Sequence, residues 1–161
     1  MPLEGSCGLL VENVLNNLRP VIQEEYRVLL DKTNARNIGI IFVGDEIAIV
    51  GILSEVLQVI FSRSTVMIYS TMDGHKALRI LEQKQHQIDL IITDVNHPGL
   101  SGIEICKIAR EKYQGIKTFI MTGYTKSADQ ARSEKASDIV FQKPFKLEEF
   151  EKAMKDLLPN Y

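Results

Sequence analysis

Tryptophan is absent from this 161-residue chain, and cysteine occurs only at Cys7 and Cys106. Two cysteines cannot build a disulfide framework, so the expected setting is a reducing one, the cytoplasm, with each cysteine an inert small apolar residue. A charge excess of either sign is also lacking: 19 Lys and Arg against 21 Asp and Glu give a formal net charge of −2. That balance offers no electrostatic case for nucleic acid or an anionic membrane surface as partner. No run is long and apolar enough to span a bilayer, and no basic N-terminus leads into an apolar stretch as a signal peptide would. Repeats and low-complexity tracts are missing too. His75, His86 and His97 share no metal-ligand spacing, and His97 reads as a solvent-facing loop residue.

What is present is ordinary in bulk, 45% hydrophobic and 25% charged, and regular in pattern. From Ile38 onward, short apolar runs at 38–43, 65–70, 88–93, 117–122 and 138–142 alternate with helix-period stretches at 46–61, 74–83, 102–112, 127–135 and 147–158. Five strands alternating with five helices predict an α/β fold, a parallel sheet with helices on both faces. The first helical stretch is apolar around most of its circumference, with only Gly51, Glu55, Gln58 and Ser62 as a polar stripe. One sheet face needs less than that, so a second cover is expected.

Residues 1–37 stand outside the alternation and form an N-terminal extension and linker; 38–161 form the α/β domain. Val11, Val14, Leu18 and Val21 recur at threes and fours, which predicts an amphipathic helix, with Pro20 kinking it or opening a second one. Two readings stand side by side: a helix docked on the domain's own apolar surface, or a homodimer formed through this helix or the first helix of the domain.

In an open α/β sheet, ligands bind beyond the carboxyl ends of the strands. Those ends here carry Gly44-Asp45-Glu46, Ser70, Asp94, Thr122 and Lys143. Asp94 closes the buried run "LIIT" and is followed at once by the turn "VNHPGLSG". Two carboxylates from adjacent strands, Asp45 and Asp94, call for a hard cation between them, Mg²⁺ above all. A carboxylate can take a phosphoryl group, a threonine hydroxyl can donate to a phosphoryl oxygen, and an ammonium can offset its charge.

The pieces "FVGDE", "LIITDVNHPGLSGIEI", "FIMTGY" and "VFQKPF", in this order at four strand ends, resemble the receiver domain of bacterial two-component response regulators. The resemblance covers about 38–158. It implies a doubly wound, flavodoxin-like sheet of order 2-1-3-4-5, and it implies roles. Asp94 would accept a phosphoryl group from a phosphohistidine of a sensor histidine kinase or a histidine phosphotransfer protein. Asp45 and Asp94 by side chain, and Asn96 by its main-chain carbonyl, would bind Mg²⁺. Thr122 and Lys143 would contact the phosphoryl group, with Pro144 after a cis bond. Such a domain is a phosphoacceptor with self-catalysed transfer and autodephosphorylation rather than a turnover enzyme. Its output would be a downstream protein target or a phosphorelay, as a stand-alone regulator or as a piece of a hybrid kinase.

Three positions depart from the family. Gly44 stands where the first of two acids is usual, Val140 where an aromatic switch residue is usual, and His97 where Met is frequent. Glu46 could compensate for Gly44 from the following position, but is expected instead to cap the first helix near its positive end. Phe141 is expected on the opposite face from Val140, since strand side chains alternate; Tyr124 is another candidate for the switch. The rival reading is a degenerate receiver that binds partners without phosphorylation. A phosphatase with an aspartate nucleophile would need an acid where Asn96 stands. A flavin or nucleotide binder would carry its phosphate loop after the first strand, whereas "TGYT" follows the fourth.

Overall fold

The computed structural model describes Pro20 and residues 36–161; apart from these residues, the N-terminal extension expected over 1–37 lies outside the description. In chain order the elements are β1 (Asn37–Val43), α1 (Ile47–Ile60), β2 (Thr65–Thr71), α2 (Gly74–Lys84), β3 (Leu90–Asp94), α3 (Gly102–Lys112), β4 (Lys117–Thr122), α4 (Thr125–Ser133), β5 (Ile139–Gln142) and α5 (Leu147–Leu157). A single 3-10 turn, Gln85–Gln87, precedes β3. All strand pairings are parallel and the order is β2-β1-β3-β4-β5. The alternation predicts the parallel sheet with helices on both faces, and the strand order is the one that the resemblance implies.

The two sheet faces bury different helices. Ile38, Ile40, Phe42, Leu90, Ile92, Phe119 and Met121 pack with Leu53 and Leu57 of α1 and with Phe150 and Met154 of α5. Ile41, Val43 and Ile91 point the other way, onto Ala77 and Leu81 of α2 and Ile105 and Ala109 of α3. Ile120 continues that face onto Cys106 of α3 and Ala131 of α4. A large aliphatic side chain buried this fully contributes about 1.5–3 kcal/mol, so the central strands anchor the fold. Cys106 is buried and burial pushes its thiol up, which fits an inert core residue.

Short polar ties set the strand registers. The Gly39 N–H donates to Asp89 Oδ2 at 2.9 Å, and the Thr118 N–H and hydroxyl both donate to Asp138 Oδ2 at 2.8 Å. Ser101 caps α3 in a reciprocal box with Glu104. Asp73 caps α2 by accepting from the His75 and Lys76 N–H groups. The apolar excess of α1 has a structural counterpart: Val59 is 77% exposed and Ile52 62%, while Met67 on the edge strand β2 is also open.

Candidate phosphoryl site at the carboxyl edge of the sheet

β3 delivers Asp94 to the sheet's edge. Leu90 to Thr93 are buried, and the Asp94 side chain keeps 17% of its surface exposed. Its Oδ1 accepts from the Val95 N–H at 2.7 Å and from the Asn96 N–H at 3.4 Å. These bonds fix the carboxylate's orientation and leave Oδ2 toward Lys143, whose Nζ donates to it at 3.1 Å. Helix α3 closes the floor: a Cβ on Gly102 would come within 2.1 Å of the Asp94 carbonyl oxygen, so this close approach requires glycine.

Lys143 enters from the end of β5, after which the Lys143–Pro144 bond is cis. Its N–H donates to the Thr122 carbonyl at 2.8 Å, which locks the lysine beside β4. The ammonium is shared, donating also to Glu46 Oε1 at 2.9 Å. Burial works against its charge, but the hydrogen bonds to Glu46 and Asp94 outweigh burial and raise its pKa above the ordinary lysine value.

Asp94 and Lys143 therefore touch. Asp45 is exposed on the same rim and lines one small cleft with Glu46, Asp94 and Lys143. Thr122 is fully buried; its hydroxyl accepts from the Tyr124 N–H at 3.3 Å, and among the described residues no hydrogen bond joins it to Asp94. Asn96 is exposed, with its N–H turned to Asp94.

Two expectations need correction. Glu46 does not cap α1 with its side chain; the pairing with Lys143 claims its carboxylate. His97 is not a free solvent-facing side chain. It is half-buried, with Nε2 3.1 Å from the Thr93 hydroxyl and Nδ1 3.3 Å from the Pro98 carbonyl. That hydroxyl in turn donates to the Asp94 carbonyl at 2.7 Å, so His97 braces the loop after β3. Sequence carried no signal for this brace beyond an unusual residue at position 97. On β5, Phe141 packs on Phe119 and Phe145 in the α1/α5 core, while Val140 faces the α3/α4 side. The two residues occupy opposite faces, as alternation requires.

The donor set of this cleft consists of carboxylate oxygens, from Asp45, Glu46 and Asp94. No cluster of three or more His, Cys, Asp or Glu suited to a metal occurs among the described residues. A cation here would need main-chain and water ligands as well, which is how Mg²⁺ is commonly held. The residues present fit that ion.

A doubly wound sheet with a carboxylate and an ammonium paired at its carboxyl edge, and a buried threonine on the adjacent strand, has the layout of a receiver domain. The family model described as response regulator receiver domain matches residues 40–155. Sporulation initiation phosphotransferase F of Bacillus subtilis is 32% identical over 124 residues, which span 76% of this chain and 95% of that protein. The alkaline phosphatase synthesis transcriptional regulatory protein PhoP of the same organism is 32% identical over 123 residues, but the match spans only 49% of its length. Among solved structures, response regulator TrrA of Thermotoga maritima, in complex with Mg²⁺ and BeF, superposes with a TM-score of 0.58 at 28% identity, covering 74% of this chain and 98% of that one. The chain belongs to the response regulator receiver domain family.

Proposed function

We propose that Asp94 accepts a phosphoryl group from a phosphohistidine of a histidine kinase or histidine phosphotransfer protein, and that the modified domain signals through a protein partner or passes the group on. The observation that carries this reading is the Asp94 carboxylate itself, anchored through Oδ1 by two main-chain N–H groups and faced at Oδ2 by the Lys143 ammonium at 3.1 Å. The oxygen facing Lys143 forms the new bond to phosphorus while the donor's phosphorus–nitrogen bond breaks. The departing imidazole nitrogen keeps the electron pair and takes up a proton. Lys143 offsets charge on the arriving group, and the Thr122 hydroxyl, one strand away, turns from Tyr124 to donate to it.

Asp45, Asp94 and the Asn96 carbonyl would hold Mg²⁺, as the Mg²⁺ and BeF complex of the Thermotoga relative supports. When bound, the ion supplies positive charge against the phosphoryl oxygens. The first test is intact mass after incubation with acetyl phosphate, with and without Mg²⁺, beside Asp94→Asn. One phosphoryl group gained only with Mg²⁺ and only with Asp94 is the expected result. No gain from acetyl phosphate or from a phosphorylated histidine donor would overturn the reading in favour of a receiver that binds without modification, the reading that Gly44 favours.

A further inference from the structure

Position 44 on the rim is glycine, and Lys143 has two carboxylate partners, Asp94 and Glu46. The backbone of Glu46 occupies the N-cap position of α1: its carbonyl accepts from the Ile49 N–H at 3.0 Å and the Val50 N–H at 3.3 Å. An acidic side chain there would ordinarily gain by accepting from the free N–H groups of the first turn and by meeting the helix's positive end. It accepts from none of them. Its carboxylate reaches instead across 97 residues of sequence to Lys143.

We infer that Glu46 is a positioning residue that holds Lys143 in the resting domain and has to release it when a phosphoryl group arrives at Asp94. This rests on the receiver reading above. A phosphoryl group carries the negative charge outward from the Asp94 carboxylate. Lys143 follows that charge and its contact with Glu46 lengthens. Loss of that pairing opposes the phosphorylated form, so Glu46, acting through Lys143, sets how readily the domain enters it.

The experiment measures affinity for beryllium fluoride, with Mg²⁺ present, in the full chain by ¹⁹F NMR, with Asp94→Asn as blank. Glu46→Gln keeps the size of a side chain that is 52% exposed, so folding is not at stake. The expected gain in affinity is about two- to fivefold, the scale of an ion pair half open to water. The double variant Glu46→Gln/Lys143→Ala must match Lys143→Ala alone, since Glu46 acts through the lysine. Equal affinities for wild type and Glu46→Gln overturn the inference and leave the receiver reading intact. So does a gain that persists without Lys143, which would be plain repulsion. Asp94-dependent binding by Glu46→Gln alone supports the inference in its strongest form. Absence of Asp94-dependent binding in every variant overturns the receiver reading and this inference together.

Discussion

Lys143 is one ammonium between two carboxylates, 3.1 Å from Asp94 and 2.9 Å from Glu46, and its titration reports on that sharing. Burial disfavours its charge, but both pairings favour it and hold the folded-state pKa above the ordinary 10.5. A group whose value is raised on folding stabilises the fold fully below its unfolded pKa. That contribution disappears as pH climbs through the raised value, so the window here is alkaline, above about pH 10.5. Tyr161, pushed up to about 12 by burial and by its hydrogen bond to Asp89, loses its own contribution in the same range. Comparison with Lys143→Met cancels that shared part. The expected outcome is a difference of about 1 kcal/mol in urea unfolding at neutral pH that shrinks steadily above pH 10.5. A constant difference across that range would show that the ion pairs are not what the substitution removes.

At the scale of elements, the junction of β3 and α3 decides where Asp94 sits. Gly102 is pressed against the Asp94 carbonyl, and a Cβ there would also fall 2.9 Å from the Thr93 hydroxyl. Gly102→Ala must push β3 and α3 apart, at a cost of about 1–3 kcal/mol. Ser101→Ala removes the cap of the same helix at a cost of about 1 kcal/mol without approaching Asp94. Acetyl phosphate labelling should therefore fall in Gly102→Ala well beyond its fall in Ser101→Ala, with both proteins assayed at a temperature where each is fully folded. Equal labelling in the two would mean that the helix start, and not the close approach, positions the carboxylate. Much of this junction is legible in sequence. The buried run before Asp94 and the turn with Pro98 and Gly99 are local patterns, and local patterns survive without a structure; the Ser101 and Glu104 cap came from the structure. Glu46 is the opposite case. One residue ahead of a helix, an acid reads as a cap, and only the pairing of β1 with β3 and of β4 with β5 brings Lys143 near enough to claim it. His97 was illegible for a related reason: its partner Thr93 lies only four residues back, but the turn that folds it onto the strand leaves no period.

Across the described residues burial is unevenly spread, and a thinly buried helix lies next to the site. α4 buries only Ala128 and Ala131, whereas α3 buries two isoleucines, Cys106 and Ala109, and α5 buries Phe150, Ala153, Met154 and Leu157. Alanine buries little apolar surface, so α4 is held mainly by polar ties. Lys107 of α3 pairs with Glu134, the Gln142 amide donates to the Thr125 hydroxyl at 2.8 Å, and an Arg132 N–H donates to the Val140 carbonyl at 3.5 Å. Exposed ties of this kind contribute little each, so α4 is expected to open locally at lower free energy than its neighbours. The position facing α4 on β5 is Val140, with no ring to swing, while Phe141 is locked in aromatic contacts on the far side. If Thr122 answers a phosphoryl group as proposed, the softest route outward runs through Thr125 and the first turn of α4. Amide hydrogen exchange should show α4 exchanging faster than α1, α3 or α5, and β1, β3 and β4 slowest. Phosphorylation in the presence of Mg²⁺ should change the rates of α4 and the turn before it, and leave the central strands unchanged. If α4 proved as protected as α3, its few buried alanines would have been the wrong measure of its hold, and the output surface would have to be sought on the α1 and α5 side, where Phe141 leads.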